Sequence, residues 1–234
     1  MSAVGWFVDK LNFKTLKDKQ HDLQDGFPDD LSLRVHRAIS WGLRAEKETK
    51  DVDVRFLLLW IGFNAAYTRI PSEFARGDSG PPDRNVFRSY FKTLVSIDGS
   101  NRVYDAVWEK FFQKDTPTPK WVKNKFVFTP FWDHVHGKPG KDDWNESLSR
   151  RGRRFNRARK EMNTALLLTE VFDNLYTLRN QLMHGGATWN GSVNREQVSA
   201  GAEIMDWMLP IFIDLMMENP DESWGKPFYP VIEK

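Results

Sequence analysis

Val54-Arg55-Phe56-Leu57-Leu58-Leu59-Trp60-Ile61-Gly62-Phe63-Asn64-Ala65 carries a single charge in twelve residues, and its periodicity decides the fold. Val54, Leu57, Leu58, Ile61 and Ala65 fall at i, i+3, i+4, i+7 and i+11, the spacing of one helical face. The pattern predicts a helix over about 53–69 with that stripe buried, ending before Pro71, which disfavours helical dihedrals at Ile70. The polar run that follows holds Gly77, Gly80, Pro81 and Pro82 and reads as a loop. Upstream, Asp29 or Asp30 is placed to cap a helix that turns Val35, Ala38, Ile39, Gly42 and Leu43 inward and Arg34, Arg37 and Arg44 outward. A short polar turn near Lys50 joins the two as an antiparallel pair.

Downstream, Leu168, Val171, Leu175, Leu178 and Leu182 mark a second amphipathic helix that closes at Gly185-Gly186. A last helix is expected from Ser192 or Asn194, with Gln197 as capping-box partner, through Val198, Ala202, Met205, Leu209, Phe212 and Leu215, kinked at Pro210. Between these regular ends, residues 71–152 read as an irregular, partly helical insertion. It contains two short amphipathic segments near 86–95 and 103–112, then Thr116-Pro117-Thr118-Pro119. Trp121, Phe126, Phe128, Phe131 and Trp132 follow as a short strand or an extended aromatic segment, and a surface loop covers 137–143. The tail from Asn219 to Lys234 is expected to lie extended on the surface. The expectation is one all-α domain over 1–234, an antiparallel four-helix-bundle-like core at about 30–70 and 160–217.

Composition narrows the chemistry. The 234 residues are 40% hydrophobic and 28% charged, without cysteine. That excludes disulfides, thiolate metal sites and thiol nucleophiles and suits a reducing, cytoplasmic setting. The longest apolar run is too short to span a bilayer and the N-terminus lacks a signal-peptide core, so no membrane association is expected. Neither a phosphate-binding glycine loop, a dinucleotide fingerprint, a zincin motif nor a hydrolase nucleophile elbow occurs, which removes those classes.

The net charge of +2 hides a local concentration: residues 150–160 hold seven cations and no acid. Arg150, Arg151, Arg153, Arg154, Arg157 and Arg159 form a candidate RNA-backbone clamp, with Phe155 as a possible base-stacking ring. The same run also reads as the solvated start of a helix. His134 and His136 would share one side of an extended strand, a spacing metals tolerate, but without cysteine or a third histidine no metal site is expected.

The remaining motif is Leu175-Tyr176-Thr177-Leu178-Arg179-Asn180-Gln181-Leu182-Met183-His184-Gly185-Gly186. Arg179 is followed by a polar residue and, after four intervening positions, by His184 at the end of an amphipathic helix. This resembles the arginine-to-histidine signature of the HEPN superfamily, all-helical domains many of which are metal-independent ribonucleases. Phe56 to Tyr67 is similar to the second helix of the Apea-like and related HEPN groups. The resemblance covers about 30–70 and 160–217.

The resemblance implies cleavage of RNA through its own 2′-hydroxyl, with no cofactor, in stress response or antiviral defence. His184 would serve as general base or acid, Arg179 would hold the scissile phosphate and Asn180 would orient one of them. An imidazole with an ordinary pKa of about 6.5 can accept a proton near neutrality, and a guanidinium fits a phosphate bidentately. Five helical positions turn about 500°, so Arg179 and His184 stand about 140° apart. The family's habit of facing two motifs across one cleft therefore implies a homodimer, and a toxic ribonuclease implies a regulatory protein partner. Gly186 stands where one toxin branch carries a modifiable tyrosine, which excludes that form of control. Two other readings stay open. One is a catalytically silent HEPN domain that binds RNA, a nucleotide or a protein; the other is an adaptor in which Arg179 pairs with Asp173 or Glu170 and His184 merely caps its helix.

Overall fold

A computed structural model describes residues 11–68, 82–111 and 120–232. The polar run at 71–81 and the Thr116-Pro117-Thr118-Pro119 stretch lie outside the described residues. What is described is all-helical, with no β-strand among the described residues. The helices are α1 (Phe13–Leu23), α2 (Asp29–Glu46), α3 (Val52–Tyr67), α4 (Pro82–Ile97), α5 (Arg102–Asp105, running on as a π-helical stretch Ala106–Phe111), α6 (Thr129–Val135), α7 (Trp144–Lys160), α8 (Thr164–Met183) and α9 (Arg195–Glu218). Among the described residues no helix is long and apolar enough to cross a membrane.

α2 and α3 pack along each other and α3 packs along α9, while α4 and α7 both lie against α8. The turn between α2 and α3 is closed by Asp51, whose side chain accepts from the Val54 backbone N–H, 3.0 Å away. This satisfies one of the donors left open at a helix start. α2 begins without such a cap: Pro28 precedes it, and Asp29 and Asp30 sit inside its first turn, where they favour the helix dipole instead.

The stripe expected to be buried on α3 is the half-buried one. Val54, Leu57, Leu58, Ile61 and Ala65 are intermediate, whereas Phe56, Leu59, Trp60, Phe63, Ala66 and Tyr67 are buried. Both sets have helical spacing because the helix is apolar nearly all round, and the larger aromatic area wins the interior. Phe63 anchors the resulting cluster, with its ring centroid 4.6 Å from Phe172 of α8, 6.1 Å from Phe91 of α4 and 6.3 Å from Phe212 of α9.

That cluster also draws in part of the partly helical stretch read as an insertion at 71–152. Phe87, Phe91 and Leu94 of α4 are buried in the same core, so α4 is one of its walls. The aromatic stretch is neither a strand nor an extended segment. It forms two 3-10 turns, Lys120–Lys123 and Lys125–Val127, followed by α6. His134 lies within α6 and His136 at its C-cap, so successive side chains at i and i+2 turn about 200° apart rather than sharing a strand face. No group of three metal-ligating side chains occurs among the described residues.

The apolar pattern does not mark α1, yet α1 is a structural member. Asn12 caps it reciprocally with Thr15, and Phe13 fills the space above Gly42. An added Cβ at Gly42 would stand 2.1 Å from the Phe13 ring. Helices α1 and α2 approach this closely because position 42 has no side chain.

Candidate functional site

α8 positions the motif. Asn163 caps its start by accepting from the Leu166 N–H, and the Leu168, Val171, Leu175 and Leu178 stripe is buried as its spacing requires. The end is equally determined. His184 is the C-cap, Gly185 adopts φ +70°, and the Gly186 N–H donates to the Gln181 carbonyl at 2.7 Å while the Gly185 N–H reaches Leu182 at 3.4 Å. This doubly bonded left-handed ending favours glycine at position 185.

The loop beyond is tied to the start of α3. Arg195 grips Asp53 through two hydrogen bonds of 3.0 and 2.9 Å, the Asn190 N–H donates to Asp53, and the Trp189 indole donates to Asp51 at 2.6 Å. The Val54 N–H, then the Trp189 N–H, hold the Asp51 carboxyl below its ordinary value. Asn194 does not cap α9 with its side chain. It has φ +59° and donates instead to Gln181 Oε1 at 2.9 Å, so the expected capping box gives way to a brace between α8 and α9. Gln181 in turn donates to the Phe126 carbonyl.

On this frame Tyr176, Arg179, Asn180, Met183 and His184 occupy one side of α8, within about 140° of rotation, and none of them is buried. Arg179 Nη1 donates to Asn180 Oδ1 at 2.9 Å, rather than to Asp173 or Glu170. The His184 side chain is exposed, and among the described residues only its backbone is engaged, donating to the carbonyls of Asn180 and Leu182.

Two cavities flank this strip and Tyr176 lines both. The first, about 370 Å³, is enclosed by Arg34 and Arg37 of α2, Asn64 of α3, Arg179 of α8 and Tyr229 of the tail, among others. The second, about 480 Å³, takes Asn180 together with Arg150 and Arg154 of α7, Lys138, Lys141 and Asp173. The structure therefore brings Asn180 and two cations of the basic run to one cavity, and Arg179 to the other. His184 lines neither.

The basic run divides by face. Arg153 and Arg157 are exposed, with no side-chain partner among the described residues. Arg159 is half-buried. Arg150 bridges Asp143 and Glu146 at 2.9 and 2.8 Å. Arg154, 38% exposed, bonds Glu170 at 3.0 Å. Arg151 and Phe155 face inward: Arg151 is fully buried against Glu170 and over the Phe128 ring, and Phe155 is fully buried. Neither reaches a ligand on the outer face, because α7 is amphipathic and its inner stripe Arg151, Phe155, Ala158 packs on α8.

Arg34, assigned outward from the sequence, is 1% exposed. Its guanidinium donates to the carbonyls of Ala66 and Thr68 at the end of α3 and of Gly225 and Lys226 in the tail, at 2.7–3.1 Å. The signal was present in the pattern, since Arg34 stands four positions from Ala38, about 40° away on the buried face. Compared with protein-family models, curated proteins and solved structures, the chain matches none.

Proposed function

We propose that the chain is a metal-independent, cytoplasmic endoribonuclease of HEPN type, with α2, α3, α8 and α9 as its bundle core and Arg179, Asn180 and His184 as its reacting group. One observation carries the reading: Arg179, its hydrogen-bonded neighbour Asn180 and an exposed His184 stand on a single open strip of α8 flanked by one cavity lined by arginines and another lined by arginines and lysines. A phosphodiester needs this combination of a titratable imidazole and fixed cations.

In this reading the RNA 2′-oxygen attacks the neighbouring phosphorus and the P–O5′ bond breaks, leaving a 2′,3′-cyclic phosphate and a 5′-hydroxyl. One imidazole takes the 2′-hydroxyl proton and another returns a proton to the 5′-oxygen. Arg179 holds the non-bridging oxygens, and Asn180 fixes the orientation of Arg179 through their hydrogen bond. A single chain offers one His184, about 140° around the helix from Arg179. A homodimer that faces two strips across one cleft supplies the second imidazole. Arg153 and Arg157, exposed on α7, then follow the RNA backbone beside the cavity that holds Arg150 and Arg154. A role in stress response or antiviral defence, under a regulatory protein partner, belongs to the same proposal.

The test is incubation with a mixed RNA pool in EDTA, beside His184→Ala and Arg179→Ala, with product ends read by mass spectrometry. Cyclic-phosphate ends made by the unaltered chain and by neither variant are expected. The variants should melt within a few degrees of the parent, since both positions lie outside the core. Cleavage that survives His184→Ala removes the mechanism. The catalytically silent reading draws on a specific observation too: Arg179 opens into a cavity that His184 does not line. RNA binding without products would select it.

A further inference from the structure

We propose that the cavity between α2, α3, α8 and the C-terminal tail binds a nucleoside phosphate, with the phosphate between Arg37 and Arg179 and the base against Tyr176 and Tyr229. The inference deepens the reading above, because Arg179 belongs to both. It rests on the cavity's own chemistry, which differs from that of its neighbour across Tyr176.

Among the described residues that line it, three are arginines and none is Asp or Glu. The second cavity, by contrast, includes Asp133 and Asp173 among its cations. A guanidinium has five N–H donors. Arg37 gives one to the Tyr229 carbonyl at 2.6 Å and Arg179 one to Asn180 at 2.9 Å, and neither has a carboxylate partner among the described residues. Arg34 adds a buried fixed charge at the same wall.

Cations gathered in a half-enclosed space without acids among its described lining residues favour an anion, and arginine forks suit phosphate over a point-like halide. The rest of the lining is too large and too aromatic for inorganic phosphate alone. About 370 Å³ is available, lined by Tyr176 and by Tyr229, a residue 75% exposed. A ring of this kind stacks a base whatever its identity. Asn64, half-buried on α3 with no side-chain hydrogen bond among the described residues, offers both a donor and an acceptor for a base edge.

The experiment is calorimetric titration of the full chain with the four nucleoside 5′-monophosphates, their parent nucleosides and inorganic phosphate, repeated on Arg37→Gln and Asn64→Ala. At least one monophosphate should bind once per chain, about tenfold or more tighter than its nucleoside and than inorganic phosphate. Arg37→Gln should weaken it by a similar factor. Asn64→Ala keeps the test valid if Arg37→Gln disturbs the tail, and should change the order of preference among bases.

Competition with a short single-stranded RNA separates two sources of the same chemistry. Displacement means that the cavity houses one unit of a strand; no displacement means a free nucleotide. Absence of saturable binding by every monophosphate, equal binding of inorganic phosphate, or binding untouched by both substitutions overturns the proposal. Its fate is distinguishable from that of the ribonuclease reading, which is decided at His184, outside the cavity.

Discussion

Arg151 Nε lies 3.3 Å from Glu170 Oε2, and both side chains are 1% exposed. The same guanidinium donates to the Glu170 backbone carbonyl at 2.5 Å and stands over the Phe128 ring, while Arg154 approaches the carboxylate from the solvent side. The pair thus fastens α7 to α8 beneath the basic surface. Removing one partner from a buried pair leaves an uncompensated charge, at a cost of about 3–5 kcal/mol. Glu170→Ala should therefore lower stability by that order in urea unfolding. Arg154→Ala, at the exposed end of the same contact, should cost under about 1 kcal/mol.

The division of the basic run also makes a prediction about salt. Each phosphate neutralised on a single strand contributes about −0.7 to the slope of log K against log salt. Replacing exposed Arg153 and Arg157 with Ala should reduce the slope measured with single-stranded RNA by up to about 1.4, with the fold unchanged. Arg151→Met should leave the slope where it was, because that side chain is inside. Equal slopes for the parent and the double variant would remove α7 from the RNA contact.

These contrasts show how much the sequence discloses. The spacing of Leu168 to Leu178 predicts the buried face of α8, and His184-Gly185-Gly186 predicts its end, because both depend on residues adjacent along one helix. The face of α3 is not legible in the same way. When nearly every position is apolar, periodicity cannot rank faces, and only the partners on α4, α8 and α9 decide that Trp60 and Phe63 go inside. Charged residues mislead for a related reason. Arg34 and Arg151 are solvated by default in any single-helix reading, but each is buried because distant acceptors await it: the tail carbonyls for one and Glu170 for the other. The first cavity is illegible for the same cause, since Arg37, Asn64, Arg179 and Tyr229 come from four separate segments.

A charge cluster joining α1, α5 and α9 makes stability depend on pH. Lys19 and Arg102 bridge Asp214 and Glu218 of α9. Burial by itself raises the Glu218 pKa, but hydrogen bonds from Lys19 and Arg102 reverse this and hold it below its ordinary value. A carboxyl depressed in the folded state contributes stability above its unfolded pKa of about 4.3, lost as pH falls through the lower folded value. Lys19 behaves in the opposite sense. Burial lowers its pKa, the bonds to Asp214 and Glu218 more than offset that, and the net rise means a contribution present below about 10.4 and lost as pH climbs through the folded value. Asp206, raised by burial against the pull of Arg55, favours the folded state at the acid end, so the informative quantity is a difference between variants. Across a pH series of urea unfolding, Glu218→Gln should lose less stability than the parent on acidification below about pH 4. Lys19→Met should lose less above about pH 10.5. Parallel curves for parent and variant would show that the bridge contributes nothing on folding.

Arg34 offers the clearest test of how the tail is held. Its Nε donates to Gly225 at 3.0 Å and its Nη2 to Lys226 at 2.9 Å, while Nη1 reaches the Ala66 and Thr68 carbonyls at 3.1 and 2.7 Å. One planar fork therefore satisfies carbonyls at the end of α3 and anchors the segment whose next aromatic residues form the rim of the Arg37–Arg179 cavity. Lysine keeps the charge but has a single nitrogen, so it cannot reach both sets at once. Arg34→Lys should leave the α2–α3 pair folded and release the tail. Chymotrypsin would then cut after Trp224 faster than in the parent, because cleavage follows the population of the locally opened state. The expected record is a time course by mass spectrometry in which loss of residues 225–234 precedes any cut within α2 or α3. Cleavage after Trp224 at the parent rate would mean that Trp224, buried and donating to the Asn219 carbonyl, holds the tail without Arg34.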